Sequence, residues 1–442
     1  MFNRLLIANR GEIAVRIISA CQELGIQTVA IYSDADIDSL HVQLADYSCR
    51  VGSADASDSY LNSDALIHAA KTVQADAIHP GYGFLSENAE FAEAVTKAGL
   101  NFIGPTAEVI RQVGNKDGAR SAMKAIGIPL IEGTPPLTNK EKACELAAEI
   151  GYPVILKPLS GGGGQGMLIF NNQAEFVKSY KRIEDLASIE NFYLERYVTG
   201  ARHIEVQILA DHYGQIIHLG ERECSLQRRN QKLLEECPSS ALTPWLRAKV
   251  GELAVRAMKA LHYTSVGTVE FLMDHGGNFY FMEINPRIQV EHGITELVTG
   301  IDIVKNQIKI AAGKPLNLIQ ENILFQGHAI ECRINAEDPN NNFFPSAGKI
   351  SRYHQPGGPA VRVDSGIMAE SIVQPYYDSL IAKVMVHGRS RGDAIHIMER
   401  ALSEYLIEGI HTTIPFHKEI LKNPLFCSGD VDTQFVENKM AL

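Results

Sequence analysis

Positive charge is in short supply in this 442-residue chain: 41 Lys and Arg stand against 52 Asp and Glu, a formal net charge of −11. A net-acidic chain has no global electrostatic attraction to nucleic acid or to an anionic membrane, so neither is expected as a partner. Cysteine is scarce too. The seven (Cys21, Cys49, Cys144, Cys224, Cys237, Cys332, Cys427) are scattered, odd in number and never spaced as CxxC. That points away from a disulfide framework and towards a reducing, cytoplasmic setting in which thiols fill core space. Long apolar runs are missing: nothing approaches about 18 uninterrupted apolar residues, and the run inside MFNRLLIANRGE is too short for a signal-peptide core. Internal repeats and low-complexity linkers are absent as well. With 45% hydrophobic and 21% charged residues, the composition is that of a soluble globular protein, not of a disordered, collagen-like or coiled-coil chain. The length allows roughly three domains of about 150 residues each.

Three segments follow from the pattern. In the first, 1–114, strand-like runs at 5–8, 27–33, 75–79 and 100–104 alternate with helical ones such as 11–24. Such alternation predicts a parallel α/β, Rossmann-like sheet. The turn ANRGEIAV has one glycine where a dinucleotide fingerprint needs three, so Asp34 and Asp36 read as turn residues and not as ribose binders. The second segment, 115–325, mixes strands and helices. Within it, 130–204 is a compact, proline-punctuated subdomain built around strands at 153–157 and 167–170. The third, 326–442, has strand-like runs at 360–363 and 380–386 and a helix at 393–405.

The most informative stretch is TVEFLMDHGGNFYFMEINPRIQVEH, 268–292. Two strand-like runs flank His275-Gly276-Gly277-Asn278, a hairpin signal. Symmetric pairing puts Asp274 opposite Phe279 and Glu270 opposite Glu283. Facing carboxylates repel, and a divalent cation between them relieves this; oxygen ligands suit Mg²⁺. Solvated carboxylates on an exposed face, or a slipped register, are the other readings. Glu283, Asn285, Arg287, Gln289 and Glu291 then alternate with apolar residues, so an extended chain would put all five on one face. Carboxylate, amide, guanidinium, amide and carboxylate in a row suit a cation beside a small anion, with a base at hand.

Lys157 precedes PLSGGGGQGM, where successive glycines let backbone N–H groups approach an anion; a flexible hairpin tip would look the same. ERECSLQRRNQKLLEE, 221–236, clusters Arg228, Arg229 and Lys232 and reads as a solvated basic helix face or a weak anion site. His203 lies on an apparent strand, where structural histidines are common. HPGYGFLSEN, 79–88, is a turn after a strand.

Together these motifs, with IANRGEIAVRI (7–17), ECRINAEDP (331–339) and PYYDSLIAKV (375–384), resemble the biotin carboxylase family of ATP-grasp enzymes, in order and over essentially the whole chain. The resemblance implies a pre-ATP-grasp domain, an ATP-grasp domain with a mobile lid, and a C-terminal domain. It implies that ATP and bicarbonate form carboxyphosphate and that biotin is then carboxylated, with Mg²⁺ or Mn²⁺ as the metal. By position, Lys116, Lys157, Gly163, Gly164, Glu195, Arg196, Val198, His203, Gln227, Asn230 and Leu272 would bind ATP. Glu270, Glu283 and Asn285 would hold metal, and Arg287, Gln289, Val290 and Glu291 bicarbonate. Arg287, Glu291, Arg333 and Lys232 would be catalytic. The implied partners are a separate biotin carboxyl carrier protein and carboxyltransferase subunits, most simply those of an acetyl-CoA carboxylase serving fatty acid synthesis. Other acyl-CoA, pyruvate or urea-type carboxylases, another ATP-grasp ligase, or a non-catalytic ATP-binding regulator are the alternatives. A homodimer is implied, although Ser19 and Pro359 differ from common interface residues. Asn230, Gln165, Leu159-Ser160 and Gly293 also depart from the usual pattern.

Overall fold

The structure, a computed structural model, describes residues 1–159, 167–186 and 188–440, with the side chains of 116–117 and 180–186 outside the description. Its N-terminal part is a parallel sheet of β1 (Arg4–Ile7), β2 (Gln27–Ser33), β3 (Tyr47–Gly52), β4 (Ala77–His79) and β5 (Asn101–Phe102), in the order β3-β2-β1-β4-β5. Leu5, Leu6 and Ile7 are buried on both faces of β1, as helices covering a parallel sheet require. Helix Gly11–Glu23 packs a stripe of Ile13, Ala14, Ile17, Ile18 and Cys21 into this core. The strand order reverses between β1 and β4, which leaves a crevice beyond their C-terminal ends. Asn9 closes its floor by donating to the carbonyls of Pro80 and Tyr82, each at 2.7 Å. Gly81, at φ +63°, passes so near that a Cβ would lie 2.9 Å from the Asn9 amide. Asp34 and Asp36 are turn residues, as the single glycine suggested: Asp34 pairs with Arg50, and buried Asp36 with Arg10 and Tyr60.

A separate antiparallel sheet, β7-β6-β8, is made by β6 (Val154–Pro158), β7 (Leu168–Phe170) and β8 (Phe192–Arg196), with helix Lys140–Ile150 packed on it through Ala143 and Ala147. The glycine loop that follows Leu159, including Gly163, Gly164 and Gln165, lies outside the described residues.

The third sheet has eight antiparallel strands. It contains β9 (Arg202–Ala210), β10 (Ile216–Arg228), β11 (Gln231–Cys237), β12 (Ser265–Met273), β13 (Phe279–Asn285) and β14 (His328–Asn335). Their order is β13-β12-β9-β10-β11-β14, continued by Leu380–Gly388 and then Val361–Ser365. The sheet is unbroken across residue 325, because β11 pairs directly with β14. Helix Pro244–Ala260 packs on Ile204, Val206 and Ile208 at one end, and helix Arg391–Glu404 covers the other.

Two local expectations are corrected here. The run 221–236 is not a helix face but the β10–β11 hairpin. Arg229 and Asn230 form its two-residue turn with φ of 51° and 65°, the handedness that matches twisted strands. Arg228 lies 4.1 Å over the Phe343 ring instead of pointing into water. The β12–β13 hairpin starts one residue out of the symmetric register: Met273, not Asp274, faces Phe279. A register shift around Met282 then restores Glu270 opposite Glu283. The shift exists because Phe281 and Ile284, three residues apart, both enter the core, which strict alternation forbids.

Candidate active site

A cleft of about 690 Å³ lies where the crevice of the first sheet, the β6–β8 sheet and the large sheet meet. Period two supplies much of its wall. On β9, Ile204, Val206 and Ile208 face the core, so His203, Glu205 and Gln207 share the opposite face. Glu270 on β12, Glu283 and Asn285 on β13, Lys232 on β11 and Arg333 on β14 reach the same region.

Lys232 is the hub. Its ammonium lies 2.6 Å from Glu205, 2.9 Å from Glu270 and 2.7 Å from Glu291. Burial works against its charge, but three carboxylates outweigh that and hold its pKa well above the usual lysine range. Glu291 is fully buried, yet Lys232, Arg333 and Arg222 hold its carboxyl well below the usual range. Its second oxygen accepts from Arg333 Nη2 at 2.9 Å. Glu270 is likewise held down against burial by Lys232 and by His203, whose Nε2 stands 2.9 Å away. Gln227 Nε2 is 2.6 Å from His203 Nδ1, which orients the ring.

After Asn285 the chain leaves extended backbone, so the five polar residues of 283–291 do not share a face by alternation, contrary to the sequence expectation. They converge through a bend at Pro286. Arg287 donates to Gln289 Oε1 at 2.7 Å and to Asn285 Oδ1 at 3.0 Å, and pairs with Glu87. Asn285 and Gln289 in turn donate to Glu270 Oε1 at 3.0 and 3.1 Å. Glu291 immediately precedes helix His292–Thr299.

At the other end of the cleft, Lys157 and Arg120 both pair with buried Glu195. Asn230 sits at the β10–β11 turn on the wall; asparagine tolerates its positive φ better than most residues. Arg196, Val198 and Leu272 are not on that wall: Arg196 is exposed, and Leu272 pairs with His203 across the ladder. The side chain of Lys116, with Gly163 and Gly164, lies outside the described residues. Sequence reasoning missed Arg120, Glu12, Tyr82, Glu205 and Glu235, which the fold brings to or behind the cleft. Only Glu205 had a local signal, its alternation with His203 in RHIEVQIL. The Gly293 departure has a local partner: a Cβ there would meet Met385 Sδ at 2.2 Å, so the methionine fills the space.

The donor set tests for a cation. Glu205, Glu270 and Glu291 already share the Lys232 ammonium, with Arg222 on Glu205 and Arg333 on Glu291 supplying further positive charge. The paired Glu270 and Glu283, with Asn285 two residues on, form an all-oxygen set that fits Mg²⁺.

Family models match along the chain: the biotin carboxylase N-terminal domain at residues 1–110, the carbamoyl-phosphate synthase L chain ATP-binding domain at 115–319, and the biotin carboxylase C-terminal domain at 331–438. Biotin carboxylase 1 of Bacillus subtilis is 53% identical over 443 residues, 99% of this chain and 98% of the relative. The biotin carboxylase domain dimer of Hydrogenobacter thermophilus 2-oxoglutarate carboxylase, solved with MgADP, ADP and bicarbonate, superposes with a TM-score of 0.94. It is 48% identical, covering 99% of this chain and 97% of that one. The crystal structure of the biotin carboxylase component of a pyruvate carboxylase superposes with a TM-score of 0.87. It is 50% identical, covering 99% of this chain and 98% of that one.

Proposed function

The chain belongs to the biotin carboxylase family of ATP-dependent ligases, and from that premise we propose that it carboxylates biotin held on a separate carrier protein, consuming ATP and bicarbonate. The observation that carries the residue roles is Glu291, fully buried between Lys232 and Arg333 and close enough to Arg287 to act on its charge. Bicarbonate is a poor nucleophile and needs a base. An anion entering between Arg287 and Arg333 competes with Glu291 for the guanidinium, and this raises the basicity of Glu291 when a proton must be taken. Deprotonated bicarbonate then attacks the γ-phosphoryl group, giving carboxyphosphate and ADP. Lys157 and Lys232 offset phosphate charge, and Arg287, Gln289 and the Val290 backbone hold the anion. A divalent cation bound by Glu270, Glu283 and Asn285 would supply charge neutralisation at the ATP phosphates. Carboxyphosphate hydrolyses readily, so the 130–204 segment is assigned as the lid that excludes water. Within the cleft carboxyphosphate then splits into CO₂ and phosphate, the phosphate takes the proton from biotin N1′, and Arg333 steadies the resulting enolate-like biotin as it attacks CO₂.

The test is bicarbonate-dependent ATP cleavage, with and without free biotin. Glu291→Gln should lower it by about 10²–10³-fold, the range for losing a positioned base or charge. Near-normal turnover in that variant would overturn the assignment. We further propose a cytoplasmic homodimer that works with a carboxyltransferase. Acetyl-CoA is the proposed final acceptor, against the pyruvate and 2-oxoglutarate named in two relatives. Copurification with a carboxyltransferase specific for a 2-oxo acid would reverse that choice.

A further inference from the structure

The mechanism above gives Glu235 no part, although it is fully buried on β11 beside Arg333. Its Oε1 accepts from Arg333 Nε at 2.6 Å, while Nη2 of the same guanidinium donates to Glu291 Oε2 at 2.9 Å. Two carboxylates therefore hold two edges of one planar fork, which fixes both its position and its plane. No described residue accepts from the remaining nitrogen, Nη1, and Arg333 lines the cleft.

Directly across the ladder from Glu235 stands Glu331, also fully buried. Both oxygens of Glu331, and Oε2 of Glu235, lack a hydrogen-bond partner among the described residues. Leaving buried carboxylate oxygens unpartnered is costly, and such groups persist where they serve something else. Burial pushes both carboxyls up, Glu235 to about 7 with Arg333 pulling it back, and Glu331 with Lys383 pulling it back. Of the two, Glu235 is the one in contact with the guanidinium.

We propose that Glu235 is a positioning residue for Arg333: by holding the Nε edge it shares the guanidinium between two carboxylates and leaves Nη1 for the ligand in the cleft. Without it the fork is free to turn wholly onto Glu291, and the cleft loses a fixed donor. The inference rests on the reading of Arg333 as the cation that faces the ligand.

A double-mutant cycle on the purified full chain separates the two ideas. ATP cleavage with bicarbonate and carboxylation of free biotin are measured for the wild type, Glu235→Gln, Arg333→Gln and the double variant. Glu235→Gln should lower kcat about tenfold, within the range of coupled neighbours, and leave KM for ATP within twofold. In the Arg333→Gln background the same change should add nothing, because no guanidinium remains to be positioned. Additive losses, or normal kcat in Glu235→Gln beside an impaired Arg333→Gln, would overturn the proposal. A normal Arg333→Gln would instead overturn the reading beneath it. Should Glu235→Gln fail to fold, Glu235→Asp keeps the charge but withdraws it by one methylene. It should show the same kcat loss and the same dependence on Arg333, and normal kcat there overturns the proposal equally.

Discussion

Lys383, fully buried, donates from Nζ to the carbonyl oxygen of Val290 at 2.5 Å. The same ammonium stands 3.3 Å from Glu12 Oε1 at the start of the first helix, and Glu12 accepts from the Tyr82 hydroxyl. A C-terminal strand, the N-terminal helix and the bend after Asn285 thus meet at one charge. Lys383→Met would leave Glu12 buried without its counter-ion and should cost about 3–5 kcal/mol in urea unfolding. A variant within 1 kcal/mol of the wild type, the size of an exposed pair, would show that Glu12 is charge-neutral in the fold.

The carboxylate pair gives a metal prediction. Glu283→Gln should raise the Mg²⁺ concentration needed for half-maximal activity about tenfold, or about 1.4 kcal/mol, because a charged ligand is lost. It should leave metal-free stability equal or slightly higher, since Glu270 and Glu283 repel across the ladder. A magnesium titration of activity, run beside thermal unfolding in chelator, separates the two effects; an unchanged titration would rule out Glu283 as a ligand.

Arg120 tests the other end of the cleft. It pairs with Glu195, donates to the Ile131 carbonyl at 2.9 Å, and lies on the cleft wall. Among the described residues Arg120→Met leaves Lys157 as the only cation paired with Glu195, and phosphate must then draw that lysine away from the carboxylate. The expected result is a loss of about 1.5–3 kcal/mol in ATP binding by calorimetry, with KM for bicarbonate unchanged. Equal losses for both substrates would point to general disorder of the cleft.

His417 gives a pH prediction. It is buried, with Nε2 2.7 Å from the Arg333 carbonyl and Nδ1 without a partner among the described residues, and burial depresses its pKa to about 4. Because the unfolded imidazole titrates near 6.5, the unfolded chain binds a proton that the folded chain refuses between those values. Its contribution is complete above pH 6.5 and is lost, by up to about 1.4 kcal/mol per unit, as pH falls towards 4. Urea unfolding of the wild type against His417→Gln should therefore diverge below pH 6.5. Parallel curves would mean that the imidazole is already charged in the fold.

The carrier prediction concerns biotin. The family that this chain resembles attaches biotin to a lysine between methionines; here the Met-Lys pairs 123–124 and 258–259 lie inside helices and lack the second methionine, and Lys439 pairs with Asp432. The purified chain should be negative on an avidin blot yet carboxylate free biotin with a high KM, since a carrier normally supplies effective concentration. A biotinylated band would refute the separate-carrier reading.

Much of this site could be read before folding, for reasons that differ by residue. Glu270 and Glu283 were legible as a pair because a Gly-rich turn fixes where two strands meet. The shift near Met282 was not, because it arises from two side chains competing for one core. Arg229-Asn230 read as part of a charged run because a primed turn needs only two positive φ values, which an Asn hints at without announcing. Glu235, Lys383 and Glu12 were invisible for another reason: each gains meaning only from partners 70 or more residues away, such as Tyr82 for Glu12 and Arg333 for Glu235.

The unbroken eight-stranded sheet also bears on recombination between relatives. Family models end at residue 319 and resume at 331, which invites chimeras joined between them. Such a joint falls between β11 and β14, whose ladder pairs Leu234 with Cys332, Glu235 with Glu331, Glu236 with Ile330 and Cys237 with Ala329. A grafted C-terminal segment must therefore complete a foreign sheet and bury matching glutamates at once. Inherited pieces of this enzyme are expected to travel together, with swaps better tolerated at the β6–β8 element, whose sheet among the described residues meets the rest by an isolated bridge of Glu195 to Gly133.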